Sequence, residues 1–258
     1  MTTRRKAAGP GSVWLATLLV LSACSGSPTG QPDTRSPTVA RPSVLGDTVK
    51  NRRPCDQYTL IGGVRVPVAE ALEHPRPGAP VIGRFPRVNV QGAGQVFPLL
   101  DETYAAGRVW YQALLPIRPN GATGWVRAGD LRLQRSDYRV VVDLSRLRLE
   151  VYDLCTRIAG YPIAVGTSDT PTPRGTFFLN SLLKPPDRDS VYGALAFGLS
   201  AYSNVIRDRK WGGVVGIHGT NDPSSIGHRV SHGCIRLQNA DIRALARLLP
   251  LGTLVRIH

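Results

Sequence analysis

Residues 230 to 237, VSHGCIRL, set a histidine and a cysteine on either side of one glycine, in a chain with four cysteines. His218, His228 and His232, three of the five histidines, fall within the seventeen residues that end at Cys234. A packed core accounts for one such histidine but poorly for three in a glycine-rich segment. Structural zinc needs four ligands, commonly in pairs at short fixed spacing; His228, His232 and Cys234 supply three with no matching pair elsewhere, so no metal is expected. Nucleophilic catalysis fits better. A free thiol has a pKa of about 8.5 and only its thiolate attacks, so an imidazole must generate that form. Gly233, lacking Cβ, lets backbone approach a carbonyl substrate, where N–H groups near Cys234 can meet the oxyanion of a tetrahedral intermediate. Local chemistry does not choose between His218 and His232 as the base.

The elements that must hold these residues read as mainly β. Short strands separated by turns are expected over VRVPV (64 to 68), VIGRF (81 to 85), VFPLL (96 to 100) and VWYQALL (109 to 115). Asn120-Gly121 and Thr123-Gly124 read as tight turns before a strand at Trp125-Val126. Beyond Asp137, LRLEVYD (147 to 153) alternates with period two, and YPIAVG, GTFFL and GVVGIH follow, the last ending on His218. A helix starts near Asn239, read as its N-cap, with Ile242, Leu245, Leu248 and Leu249 on one face and Arg243 and Arg247 opposite. Pro250 and Gly252 end it before a last strand, TLVRIH. KPPDRDSVYGALAFGLSAYS, between the GTFFL strand and His218, is expected to be a lid, with Tyr192 and Tyr202 as candidate substrate contacts.

GIHGTNDPSSIGHRVSHGCIRL, residues 216 to 237, resembles the signature of the YkuD-like L,D-transpeptidases: I-H-G, then S-I-G, then S-H-G-C with an apolar residue and Arg or Asn. TPTPRGTFFL (170 to 179) resembles that family's T-P-x-G-x-F strand. The resemblance implies a β-sandwich catalytic domain over residues 137–258 with one or two short helices. It makes Cys234 the nucleophile and His218 the base, its second ring nitrogen held by the carbonyl of Gly219. Gly233 joins the catalytic loop, and Ser231, His232 and Arg236 are expected at the substrate, Arg236 in the position that faces it. His228 has no implied role. The reaction implied is acyl transfer on peptidoglycan stem peptides through a Cys thioester, releasing D-alanine and forming 3-3 cross-links, with no cofactor. Carbapenem acylation of the same cysteine is implied as well. An L,D-carboxypeptidase using the same thioester is the alternative within enzymes; an inactive cell-wall-binding lipoprotein is the alternative outside them.

WYQALLPIRPNGATGWVRAGDL, within residues 57–135, is similar to the closing half of a bacterial SH3-like barrel, a module that binds wall peptides or positions a catalytic neighbour. Ahead of it, Arg4, Arg5 and Lys6 precede an apolar run from Val13 to Leu21 that is too short to span a bilayer, and Leu21-Ser22-Ala23-Cys24 resembles a bacterial lipoprotein processing site. The expectation is a signal peptide over 1–23, lipidation of Cys24, a Ser/Thr/Pro/Gly-rich tether over 24–56, and an exported, membrane-anchored protein facing the cell wall. Formal net charge is +14, of which the signal segment supplies three, leaving +11 spread along the chain. No basic run is interleaved with stacking aromatics, so an anionic envelope is the expected partner and nucleic acid is not. Outside the cytoplasm an odd cysteine suggests a reactive thiol, which leaves Cys234 for that role; Cys55 and Cys155 either pair or remain two structural thiols, and the sequence does not choose between these.

Overall fold

Alternating side chains and Gly/Pro punctuation make the described part of the chain mainly β. The structure is a computed structural model that describes residues 58–187, 189–207 and 212–258. The expected signal peptide, Cys24, the tether and Cys55 lie outside the described residues.

The first sheet contains β1 (Thr59–Val64), β2 (Val68–Leu72), β3 (Val81–Pro86), β4 (Val96–Ala105), β5 (Arg108–Leu114), β6 (Thr123–Arg127) and β7 (Leu131–Ser136), in the order β3-β2-β6-β5-β4-β1-β7. Its pairings are antiparallel. Phe97, Tyr111, Val126 and Leu115 fill its core, with Phe85 edge-on to Phe97 at 5.0 Å. The single strand expected over 64–68 is instead the junction of two, Val64 ending β1 and Val68 opening β2. Pro67 between them has no N–H to give a ladder. Thr123 and Gly124 are not a turn but the start of β6, where a Cβ on Gly124 would press on Ala71 and Leu115 at 3.1 Å. The turn is made by Asn120-Gly121, with Gly121 at φ 83°.

The second sheet begins after Asp137 with β8 (Tyr138–Asp143), β9 (Arg148–Asp153) and β10 (Thr156–Pro162). β11 (Val165–Gly166), β12 (Gly175–Leu183), β13 (Ala196–Tyr202), β14 (Val214–His218), β15 (Arg229–Ser231) and β16 (Ile235–Arg236) follow, then α1 (Asn239–Leu248) and β17 (Leu254–Ile257). Eight strands run β10-β9-β8-β17-β12-β13-β14-β16, and β11 pairs with β15 separately. Val142, Leu149, Phe177, Phe197 and Ile217 are buried against Ile242 and Leu245 of α1, the one α-helix among the described residues. Leu147 lies outside β9 at φ 51°, in a turn where Asp143 Oδ1 accepts from the Ser145 N–H, the Ser145 hydroxyl and the Arg146 N–H. Those bonds favour the carboxylate and hold Asp143 down to about 2. The helix begins as expected, but its N-cap is Gln238, not Asn239.

The segment expected to be a lid is only partly a loop. Residues 196–202 form β13, a central strand between β12 and β14, and only the stretch before it is loop. Phe197, Leu199 and Ala201 point to the core, whereas Gly198 on the other face carries no side chain and lies under Ser181. That blank position weakened the alternation that marks a strand.

The two sheets belong to one compact unit. Tyr202, at the far end of β13, donates its N–H to Asn120 Oδ1 at 2.9 Å and accepts from Asn120 Nδ2 at 2.8 Å. Arg118 donates to the carbonyls of Ser203 and Gly212, and Asn89 Nδ2 to that of Asn180. Cys155 is disulfide-bonded and Cys234 is free.

Candidate active site

β14 and β16 run parallel, with Ile217 beside Ile235 and His218 beside Arg236. Both isoleucines are buried in the core. Strand alternation therefore turns His218 and Arg236 to the opposite face. Cys234 directly precedes β16, and the Gly216 N–H donates to its Sγ at 3.4 Å. The sheet thus brings together the three residues that carry charge or a proton at the site.

The loop that presents the thiol is braced from within and from outside. Ser231 is buried; its hydroxyl donates to Cys234 O at 2.5 Å and accepts the Gly233 N–H at 3.1 Å. Gly233 sits at φ 111°, a backbone conformation L side chains rarely adopt, with nothing closer than 3.6 Å to the position of a Cβ. The glycine is needed for backbone geometry rather than for space. From the segment before β12, Thr172 Oγ1 donates to Gly233 O at 2.9 Å and accepts the Gly166 N–H at 2.9 Å. Thr170 Oγ1 donates to Ser231 O at 3.1 Å.

His218 is buried, and its Nδ1 lies 2.6 Å from Gly219 O. A carbonyl only accepts, so Nδ1 carries the hydrogen and Nε2 is the lone-pair nitrogen. Burial drives the imidazole pKa down to about 4; the Gly219 hydrogen bond opposes this and the Arg236 charge adds to it. Burial pushes the Cys234 thiol up, against the Gly216 N–H and Arg236, which favour the thiolate. At neutral pH the resting site is therefore neutral imidazole and neutral thiol. Arg236 Nε is buried with no hydrogen-bond partner.

Of the residues expected at the substrate, Arg236 pairs with His218 across β14 and β16, and His232 is exposed two residues before Cys234. Ser231 is not a pocket residue: its hydroxyl is committed inside the loop, where it shapes the turn. Gly233 stands in the loop as expected, but its N–H is already taken by Ser231. Tyr202 is a correction. Its hydroxyl donates to Pro116 O at 2.7 Å and its ring lies under Arg118, so it joins the two sheets. It also sits at the end of β13 remote from Ala196, the residue opposite His218. Tyr192 is the tyrosine at the site, edge-on to the His218 ring at 5.0 Å. Sequence reasoning missed Thr170 and Thr172 as braces and Asn239 as a tertiary contact. The Thr-Pro-Thr-Pro repeat carried a signal for the first two, since extended prolines put alternate hydroxyls on one side.

A cysteine thiol and a tautomerically fixed imidazole on one sheet face, with an unpaired guanidinium, define a cysteine acyl-transfer site. The model of the L,D-transpeptidase catalytic domain, YkuD, matches residues 137–257. The YkuD protein of Bacillus licheniformis, named as an L,D-transpeptidase, is 38% identical over 165 residues, 61% of this chain and 92% of that one. YkuD of Bacillus subtilis is 42% identical over 98 residues, 38% of this chain and 52% of that protein. The solved L,D-transpeptidase 3 of Mycobacterium tuberculosis, in complex with a faropenem-derived adduct, is 15% identical over 58% of this chain and 91% of its own, at a TM-score of 0.37. The chain belongs to the L,D-transpeptidase family. It is a mainly β acyltransferase of that family.

Proposed function

We propose that this protein cross-links peptidoglycan stem peptides 3-3 through a thioester on Cys234. The observation that carries the reading is the placement of Cys234, His218 and Arg236 on one face of β14 and β16, with Nδ1 of His218 fixed on Gly219. As a tetrapeptide stem docks, Nε2 takes the thiol proton, and Gly216 N–H and Arg236 offset the charge left on sulfur. The thiolate forms a C–S bond to the carbonyl of the third residue. With the Gly233 N–H taken by Ser231, the N–H of Cys234 is the nearby group that meets the oxyanion. The tetrahedral intermediate collapses, the C–N bond breaks, and D-alanine leaves with the proton from Nε2. The side-chain amine of a second stem then attacks the thioester, loses its proton to Nε2, and the thiolate departs and is reprotonated. Arg236, free of any carboxylate in the ion pairs of the described residues, suits a carboxylate of the stem.

Lipidation at Cys24, the tether, export to the wall and an SH3-like role for the first sheet are parts of the same proposal, supported by the sequence patterns. Carbapenem acylation of Cys234 follows from the same chemistry, since a strained lactam carbonyl offers the thiolate an equivalent electrophile.

The test is incubation of protein lacking residues 1–24 with a disaccharide tetrapeptide, read by mass spectrometry beside Cys234→Ala. A Cys234-dependent dimer short of one D-alanine is expected. Monomeric tripeptide alone would assign the carboxypeptidase reaction instead, and a fully active Cys234→Ala protein would remove both.

A further inference from the structure

The hydrogen bond that aims the imidazole of His218 is the one from Nδ1 to the Gly219 carbonyl, so whatever fixes that carbonyl fixes the base. Asn239, the first residue of α1, clamps that turn. Its Oδ1 accepts the N–H of Thr220 at 3.3 Å and that of Ala194 at 2.8 Å, while Nδ2 donates to Thr220 O at 2.9 Å. None of this caps its own helix, whose N-cap is the preceding Gln238. Gly193 and Gly219 both lie against the amide: a Cβ on either would run into Asn239 Oδ1. The same turn is tied to the segment before β13 twice more, by Gly219 N–H to Leu195 O at 3.0 Å and by Asn221 Nδ2 to Asp189 O at 2.9 Å. That segment carries Tyr192 against the His218 ring.

We propose that Asn239 is a positioning residue for acyl transfer: one side-chain amide locks the Gly219 carbonyl and the Tyr192 segment together, so that His218 keeps Nε2 free toward Cys234. The inference rests on reading His218 as the base. An amide does this with two separate atoms, the oxygen accepting two N–H groups while the nitrogen donates to a carbonyl. Aspartate is nearly isosteric and keeps the accepted bonds, but it sets an oxygen against Thr220 O and adds a negative charge beside the base. The ionisable groups already facing the imidazole are Arg236 from β16, the Cys234 thiol and the Tyr192 phenol. A carboxylate at 239 opposes the Arg236 effect and raises the pH at which His218 loses its proton.

The experiment measures alkylation of Cys234 by iodoacetamide from pH 4 to 9 by intact mass, with nitrogen-15 imidazole shifts of His218 to report the tautomer. Asn239→Asp is expected to move the acid limb of the rate profile up by about one pH unit. Asn239→Ala is expected to slow alkylation by about tenfold or more and to mix the His218 tautomers, as loss of an orienting partner does elsewhere. His218→Gln separates the two ideas. If it slows alkylation while both Asn239 variants keep the wild-type limb, rate and shifts, the role of Asn239 is overturned and the base stands. If His218→Gln changes nothing, the base assignment falls and the inference with it. Should Asn239→Ala not fold, the aspartate variant decides alone.

Discussion

Burial of the reactive pair has a cost that can be read as stability. The His218 pKa falls from an unperturbed 6.5 to about 4 in the fold. The unfolded chain therefore binds more protons between those values, and stability must rise with pH across that window and level off above it. At about 1.4 kcal/mol per unit, the loss on acidification from pH 7 to pH 4 is about 3 kcal/mol from this residue. Other groups titrate in the same range, so the informative quantity is the difference from His218→Gln. Urea unfolding at pH 4.5 and 7.5 should show a smaller acid loss in that variant, and equal losses would mean that the imidazole is not desolvated. Cys234 acts at the other end: its raised thiol pKa makes stability fall as pH climbs past the unfolded value of about 8.5. At this scale the sequence was most legible for Cys234 and His218, whose side-chain chemistry is their role. It was least legible for Ser231, because a hydroxyl beside a nucleophile reads alike whether it faces substrate or, as here, its own loop.

Among the elements, β9 was readable from its alternation, and β3, β14 and β17 as short strand-forming runs bounded by turn residues. β13 was not, since Gly198 leaves its outer face blank, and the β1–β2 break was hidden because Val64 and Val68 flank Pro67 within an apolar run. The extended segment ahead of β12 was seen as a strand approach, yet its function lies in two hydroxyls that reach 61 residues along the chain to the thiol loop. Such pairing depends on tertiary proximity and leaves no periodic trace. Replacing Thr172 with Val keeps the shape but strands the buried Gly166 N–H and Gly233 O, at a cost of about 2 to 5 kcal/mol for two unmet groups. Acylation of Cys234 should slow as well, because the loop loses a fixed point, and Thr172→Ser should recover most of both. A valine variant with unchanged urea midpoint and acylation rate would show that Ser231 holds the loop unaided.

For the whole molecule, the question is whether the first sheet is a passenger or a support. Its β5–β6 turn reaches the second sheet through Asn120 and Arg118, and the junction is tightened where Gly252, at φ 90°, brings its backbone against Ile61. A Cβ there would lie 2.6 Å from Ile61 Cγ2. The Asn120 and Arg118 bonds fasten β13 at the end away from His218, and Gly252 lies just before β17, so these contacts should govern cooperativity more than chemistry. Tyr202→Phe removes the bond to Pro116 and should lower stability by about 1 kcal/mol while leaving Cys234 acylation within twofold of the parent. Asn120→Ala removes both bonds to the Tyr202 backbone. It should cost about 1 to 3 kcal/mol and begin to separate one unfolding transition into two, detectable as a mismatch between calorimetric and van't Hoff enthalpies. A large loss of acylation in Tyr202→Phe, with its melting temperature intact, would return that tyrosine to the substrate side. Retained cooperativity in Asn120→Ala would instead locate the coupling in the apolar contact of Ile61 with Gly252, which Gly252→Ala would then disrupt.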